Sequence, residues 1–207
     1  MGAGLRIDHV LYAVRDLDEA ASRLATEWGL ATSDGGRHPG HGTANRIVPL
    51  GSDYIELIAI VDQQEASRSP IGRAVTARTA AGEGLIGWAV RTDDIDAQAR
   101  RLSLPVQTMR RSMPDGREVS WDLAGVAQSL ARPEVPFFIR WHEPDQHPGR
   151  LSGDDVPRGH IAWIALHADL DEIVSWVGGA DLPLRAAEGG RPMSAGLTVG
   201  DREILLR

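Results

Sequence analysis

Two side chains that can bind a metal ion or move a proton occur in segments with the alternation of β-strands. His9 lies in the segment from Leu5 to Val14, and Glu56 lies in the segment from Tyr54 to Val61. Imidazole and carboxylate groups bind divalent metals and also serve as general acids and bases. Because a buried carboxylate without a partner is costly, we expect His9 and Glu56 to share a polar cleft. The alternatives are a hydrogen-bonded core histidine and a carboxylate on a wet sheet edge.

The stretch between these strands adds three candidates. His38 and His41 lie in a glycine-rich loop predicted at 35–42, and Asn45, the only asparagine of the chain, follows it. A loop histidine would complete a set of nitrogens and one carboxylate suited to iron, manganese, zinc or nickel, although loop histidines are commonly just exposed. Asn45 is suited either to orienting a substrate carbonyl or to forming a turn.

The composition excludes several classes of chemistry. The chain of 207 residues has no cysteine, and all 22 of its basic side chains are arginine. Disulfides, thiolate nucleophiles, phosphate-loop lysines and Schiff-base lysines are therefore excluded. The net charge of −7 argues against a nucleic-acid partner, which needs a basic face. Since no stretch of about 18 apolar residues occurs, we expect no membrane partner and a cytoplasmic location.

The elements that position these candidates follow a repeat. Tyr12–Asp18 and Trp88–Asp94 are copies of one phrase, and each predicts a strand that runs into a capped helix. The predicted fold class is α+β, with two βαβββ modules forming a cup-shaped mixed sheet and a third partial βαββ unit. The predicted divisions are a first module at 1–62, a bridging helix at 63–82, a second module at 83–141, a linker loop at 142–159 and the third unit at 160–207.

Several stretches of the first module match the pattern of a known family: Asp8–Val14 with Asp16–Asp18, Gly42–Arg46 and Tyr54–Leu57. In these stretches the chain resembles the glyoxalase-like proteins of the vicinal oxygen chelate superfamily. The resemblance implies that two βαβββ modules close into a cup around a divalent metal. It also implies one metal ligand from the first strand and one from the fourth strand of each module. In this sequence those ligands are His9 and Glu56 from the first module.

The second module departs from that pattern. Superposing the two phrases aligns His9 with Leu85 and Glu56 with Ile139 or Arg140, none of which replaces a metal ligand. The remaining ligands must come from elsewhere, or no metal is bound. The candidates are His38, His41, His142 and, if the third unit replaces the second in forming the cup, His160.

The sequence therefore predicts a protein that acts on or binds a small molecule. As an enzyme it would be a divalent-metal lyase, isomerase or dioxygenase acting on a substrate with adjacent oxygens. The alternative is a metal-free protein that binds or sequesters a small molecule on the same fold, and a homodimer is left open. The predicted catalytic residue is Glu56, and the predicted metal ligands are His9, Glu56 and His41. The predicted substrate-binding residues are His38, Asn45, Trp88 and Arg140, where Trp88 alternatively packs on a helix.

Overall fold

The described part of the chain, residues 4–112, 118–150, 159–190 and 192–207 of a computed structural model, contains twelve strands and six helices. The strands are β1 (Arg6–Ala13), β2 (Ser33–His38), β3 (Thr43–Pro49), β4 (Tyr54–Ile60), β5 (Gly84–Arg91), β6 (Val106–Ser112), β7 (Glu118–Ala124), β8 (Phe137–Trp141), β9 (Gly159–Leu166), β10 (Leu184–Ala186), β11 (Met193–Val199) and β12 (Arg202–Leu206). The helices are α1 (Leu17–Trp28), α2 (Gln63–Ala66), α3 (Pro70–Ala81), α4 (Ile95–Leu102), α5 (Val126–Ala131) and α6 (Leu170–Trp176). None of these six helices is long and apolar enough to span a membrane.

Eight of the strands form one sheet that curls into a cup, in the order β2-β3-β4-β1-β5-β8-β7-β6. β1 and β4 are parallel, as are β5 and β8, whereas β1 and β5 run antiparallel at the centre of the sheet. The first four strands with α1 and the next four with α4 are therefore two βαβββ modules joined at β1 and β5. The predicted α+β fold class, with two modules in a cup-shaped mixed sheet, is confirmed.

Local sequence accounts for the ends of the two module helices. Asp16 accepts hydrogen bonds from the backbone N–H groups of Asp18 and Glu19 at the start of α1, and Gly29 ends this helix in a left-handed conformation with φ 70°. Asp94 caps α4 in the same way. These caps satisfy backbone groups that have no partner inside the helix, and they are the signals that predicted both helices.

The outer face of the cup is covered by α1, α4 and a second sheet with the strand order β10-β9-β11-β12. The core between these layers contains the fully buried rings of Trp88 and Phe138. Burying such a ring stabilises the fold by about 1.5–3 kcal/mol. The third unit thus packs outside the cup. The hypothesis that it replaces the second module, with His160 as a metal ligand, is wrong, because His160 lies exposed on this outer sheet.

The inner face of the cup is partly filled by α3 and α5. Ser69 caps α3, and Val75 of this helix is fully buried in a cluster with Ala13 and Ile58 of the cup wall. Val126 of α5 packs against the same cluster. The segment predicted as one bridging helix is therefore split into α2 and α3, and α3 closes one end of the concave space.

Two segments predicted as loops contain regular structure. Gly35–His38 belong to β2, which pairs with β3 across an irregularity between Asp34 and Arg37. Paired glycines weaken a strand signal, which explains the incorrect loop prediction. The predicted linker at 142–159 includes two 3₁₀ turns, Pro144–Gln146 and Pro148–Arg150, while its residues 151–158 lie outside the described part.

Asp53 connects the third unit to the first module. Its Oδ2 accepts a hydrogen bond from the backbone N–H of Ile161 at 3.0 Å, whereas its buried Oδ1 has no hydrogen-bond partner in the described structure. Burial raises the pKa of Asp53 to about 6, although the bond from Ile161 opposes this shift. The junction between the two sheets therefore keeps this carboxyl group protonated up to a higher pH than water does.

We expect the substitution Asp53→Asn to change how stability depends on pH. The folded protein binds this proton up to about pH 6, whereas the unfolded chain releases it near 3.8. The contribution of Asp53 to the free energy of unfolding is therefore complete below the pKa that Asp53 has in the unfolded chain. It is lost as pH rises through the pKa that Asp53 has in the folded protein. Between pH 4.5 and 7.5, wild type should lose about 1–2 kcal/mol more of its unfolding free energy than Asp53→Asn does. Denaturant titrations at both pH values measure this. A difference between the two proteins that stays constant with pH would contradict the expectation, and Asp93→Asn, at an exposed position, is the control.

Candidate functional site

The concave face of the cup encloses a cavity of about 500 Å³ with a polar side and an apolar side. The first module supplies most of the polar lining, which comprises His9, Arg37, His38, His41, Asn45, Tyr54 and Glu56, and β6 adds Arg110 and Arg111. The second module supplies most of the apolar lining, which comprises Ile86, Trp121, Leu123, Phe137, Ile139 and Trp141. A concave, mainly apolar cavity with a few convergent polar groups is the usual form of a small-molecule site.

A β-bulge in β1 places His9 at the cavity. The pairing of β1 with β5 joins Ile7 to Val90 and His9 to Ala89, so that Asp8 is an extra residue without a partner on β5. Strict alternation would put Ile7 on the same face as His9, but the bulge turns Ile7 into the outer core, which corrects that expectation. The imidazole of His9 stacks on Tyr54 with ring centroids 4.4 Å apart and is 2% exposed.

The carboxylate of Asp8 is fully buried behind His9 and holds its ring. Asp8 Oδ1 lies 2.7 Å from His9 Nδ1, and Asp8 Oδ2 lies 3.0 Å from His147 Nε2 and 3.2 Å from Trp141 Nε1. Since the N–H of Gly149 donates to His147 Nδ1, the proton of His147 must sit on Nε2 and point to Asp8.

Asp8 is ionised inside the protein. Burial alone would raise the pKa of Asp8, but hydrogen bonds from His147 and His9 and the attraction of both rings outweigh burial and hold it well below its usual range. An ionised carboxylate only accepts hydrogen bonds, so His9 must donate from Nδ1. The Nε2 atom of His9 therefore presents its lone pair towards the cavity whenever the ring is neutral.

Glu56 is the other half of the pair predicted from the sequence, and its register brings it to the same place. On β4, Tyr54, Glu56 and Ile58 line the cavity, as strand alternation predicted. Glu56 Oε2 lies 3.7 Å from His9 Nε2, and Glu56 Oε1 lies 3.8 Å from His38 Nε2. The carboxylate thus stands between two imidazoles, with one oxygen facing each.

Asn45 positions Glu56 through both ends of its amide. Its Nδ2 donates to Glu56 Oε1 at 2.7 Å, and its Oδ1 accepts from the backbone N–H of Gly36 at 2.7 Å. A Cβ atom at Gly35 would overlap the Asn45 side chain, so glycine is required there. Because both ends of the amide are bound within the protein, the contacts of Asn45 are those of a positioning residue.

The two histidines from the glycine-rich stretch both line the cavity but make different contacts. His38 Nδ1 lies 2.9 Å from Thr43 Oγ1, which leaves Nε2 towards Glu56. His41 Nδ1 lies 2.8 Å from Ser69 Oγ, the cap of α3. His38 therefore belongs to the cluster of His9 and Glu56, whereas His41 is tied to the start of a helix at the cavity wall.

Three other sequence candidates lie outside the cavity. Arg140 alternates with the cavity residues Ile139 and Trp141 on β8 and therefore points outwards, where its Nε and Nη2 donate to Asp122 at 3.1 and 2.7 Å. His142 lies 2.8 Å from the same carboxylate. Trp88 is buried in the outer core, as its alternative interpretation held. Neither predicted substrate contact, Trp88 or Arg140, reaches the cavity.

The sequence interpretation missed Asp8 and His147. Asp8 looked like an ordinary strand residue, although an acid next to a strand histidine was a usable signal for a positioned imidazole. His147 was interpreted as a loop residue because it precedes Pro148 within the predicted linker. Its role depends on a contact with Asp8 across 139 positions of the chain, which no local pattern contains.

The cavity lining supplies only part of the donor set of a four-ligand divalent-metal site. His9 and Glu56 stand at the two expected positions of the first module, but Ile86 and Ile139, which have no donor atoms, form the second-module wall. A second bulge lies in β5, where Leu11 pairs with Gly87 and Tyr12 with Leu85, and it puts Ile86 on the cavity face. This corrects the superposition of the two repeat phrases, which had aligned Leu85 with His9. Within the described residues, no three histidine, aspartate or glutamate side chains are arranged to hold a metal. The donors therefore do not fit that site.

The fold is that of glyoxalase-like proteins. A family model of the glyoxalase-like domain matches residues 7–178, and the chain belongs to this family.

A solved structure shows the same fold. A hypothetical protein from Staphylococcus aureus is similar with a TM-score of 0.64 and 19% identity over 97% of this chain and 84% of that chain. A methylmalonyl-CoA epimerase from Mycobacterium tuberculosis is similar with a TM-score of 0.46 and 20% identity over 66% of this chain and 86% of its own. No curated protein matches the chain.

Proposed function

We propose that this protein binds a small amphipathic molecule in the cup and transfers a proton at a carbon next to an oxygen function, with Glu56 as the base. Such a step belongs to isomerases and lyases. The observation that carries the proposal is the Glu56 carboxylate, which lines the cavity between His9 and His38 and is held by Asn45. A base held in one orientation by a fixed amide is prepared to receive a proton from a bound substrate.

His9 supports the same step as a partner for the proton. Its Nε2 is 3.7 Å from Glu56 Oε2, and Asp8 behind it stabilises the ring when it becomes charged. A buried carboxylate on the far nitrogen of a histidine fixes both the tautomer and the orientation of the ring. A proton taken by Glu56 can therefore be passed to His9 and returned to a different face or atom of the substrate.

A second candidate is binding without conversion. The apolar wall formed by Ile86 and Ile139 favours it, because neither side chain of this wall could act on a substrate. Gly87 opposite Leu11 adds room on the same wall. A ligand held mainly by this side would be retained rather than changed.

The experiment that tests the proposal is hydrogen–deuterium exchange at the carbon next to a carbonyl, followed by NMR in deuterated water. A panel of ketones and ketoacids with apolar bodies is incubated with protein that has been treated with a chelator and analysed for metal content. Exchange catalysed by metal-free protein supports the proposal. Binding in calorimetry without exchange supports the second candidate, and exchange that appears only after adding manganese, iron, zinc or nickel would overturn the metal-independent step.

A further inference from the structure

The charged side chains that line the cavity are mostly cationic. Three arginines, Arg37, Arg110 and Arg111, line it together with one carboxylate, Glu56, although the whole chain has a net charge of −7. The cavity therefore has the opposite charge balance from the protein around it. A concave site with one sign of charge and apolar walls concentrates ligands of the other sign.

The three arginines lie where the two ends of the sheet approach each other. Arg37 is on β2, and Arg110 and Arg111 are on β6, which are the first and last strands of the eight-stranded order. A Cβ atom at Gly36 would lie 3.3 Å from Cδ of Arg111, so the two edges are in contact range at this seam. Because successive strand residues alternate, Arg111 shares the cavity face of β6 with Met109, and Arg110 reaches the lining from beside Glu118.

The existing ion pairs of two of these arginines are weak. Arg37 Nη2 lies 3.4 Å from Asp62 and 3.5 Å from Glu65, with a side chain that is 56% exposed. Arg110 Nη1 lies 3.2 Å from Glu118, with a side chain that is 68% exposed. Exposed pairs of this kind contribute little to stability, so a bound anion can compete for these guanidinium groups.

The apolar side of the cavity lies next to this seam. β7 pairs with β6, and Trp121 of β7 lies 5.3 Å from Trp141 of β8 between ring centroids. Phe137 and Ile139 continue the same apolar wall. A ligand whose charged end meets the arginines can therefore lay a flat apolar body on the two tryptophan rings.

The Arg111 charge is also felt close to Glu56. Burial raises the pKa of Tyr54 well above its usual value, and the charge of Glu56 adds to this shift while that of Arg111 opposes it. Both charges therefore act on one hydroxyl group at the polar side of the cavity.

We infer that the natural ligand is an amphipathic organic carboxylate with a planar apolar body, whose anion is bound at the Arg110–Arg111 seam and whose body lies on Trp121 and Trp141. This inference rests on the proposed function, since it names the class of molecule that Glu56 would act on. Arginine is suited to this task because its planar guanidinium matches a carboxylate with two parallel hydrogen bonds.

Calorimetric titration with three matched probes tests the inference. The probes are 2-naphthoate, its neutral amide, and the cationic 2-naphthylmethylamine. We expect the carboxylate to bind about tenfold or more tightly than the amide at low salt, and this preference should shrink at about 0.5 M salt. Arg110→Gln and Arg111→Gln should each weaken carboxylate binding about threefold to tenfold and leave amide binding nearly unchanged. The matched control is Arg100→Gln, at an exposed position of α4 outside the cup.

Two results would overturn the inference: an amide or amine that binds as tightly as the carboxylate, or a carboxylate preference that survives in the Arg110→Gln/Arg111→Gln double variant. Arg110 is exposed, so its variant remains informative if a substitution at the half-buried Arg111 impairs folding. Naphthoate has no hydrogen on the carbon beside its carboxylate, so its binding is measured without proton transfer. If the carboxylate binds no better than the amide, the proton-transfer proposal is unaffected. If the protein catalyses no hydrogen–deuterium exchange, the preference for the carboxylate can still be measured.

Discussion

Replacing Glu56 by glutamine is expected to slow proton exchange about a hundredfold or more while the protein stays folded and retains ligand binding. Glutamine keeps the shape of the side chain and can still accept the hydrogen bond from Asn45 Nδ2, but it has no basic carboxylate. The measurement is the exchange rate by NMR, with ligand affinity by calorimetry on the same sample. Glu203→Gln, at an exposed position of the outer sheet, removes a charge without touching the cup and serves as the control.

The positioning role of Asn45 can be separated from the role of Glu56 itself. Asn45→Ala leaves the carboxylate in place but removes its amide partner, so we expect an intermediate loss of exchange, about tenfold, with the base still present. Glu56→Asp should retain part of the rate because the carboxylate remains. An exchange rate in Glu56→Gln equal to that of wild type would show that another group removes the proton.

Replacing Asp8 by asparagine is expected to lower the free energy of unfolding by about 3–5 kcal/mol, the largest loss of stability among these variants. Asp8 accepts from His9, His147 and Trp141 with two oxygens, and its charge also faces Arg91 at 3.6 Å. Asparagine offers one acceptor oxygen and two hydrogens, so at least one buried donor loses its partner. Denaturant titration at neutral pH measures the change, and the exposed Asp93→Asn is the control.

The same substitution should remove part of the acid sensitivity of the protein. The pKa of Asp8 is held well below its usual range in the folded state. The contribution of Asp8 to the free energy of unfolding is therefore present above the pKa that Asp8 has in the unfolded chain, and it is lost as pH falls. The stability difference between wild type and Asp8→Asn should therefore be largest near neutral pH and shrink in acid. If this difference were as large at pH 3 as at pH 7, Asp8 would not be the ionised centre of the network.

The sequence by itself predicted the architecture and half of the site. Alternation placed Glu56 with Tyr54 and Ile58 on one face of β4, and Asp16 and Asp94 marked the helix starts, because strand parity and helix capping depend on neighbours in the chain. The resemblance added that His9 on the first strand and Glu56 on the fourth strand belong to one site, and the parallel pairing of β1 with β4 brings the two residues together.

Only the tertiary structure decided what surrounds that pair. The bulge at Asp8 turns Ile7 outwards and lets a buried carboxylate hold His9, and the strand partner that creates this bulge lies some 80 positions away on β5. His147 reaches Asp8 from the segment after β8, and Arg111 meets Gly36 only because the sheet curls on itself. These contacts depend on which distant strands pair and on how the sheet closes into a cup. Hydrophobic periodicity within one segment does not predict that pairing. Local pattern therefore determined the elements and their faces, and sheet closure decided the chemistry of the cup.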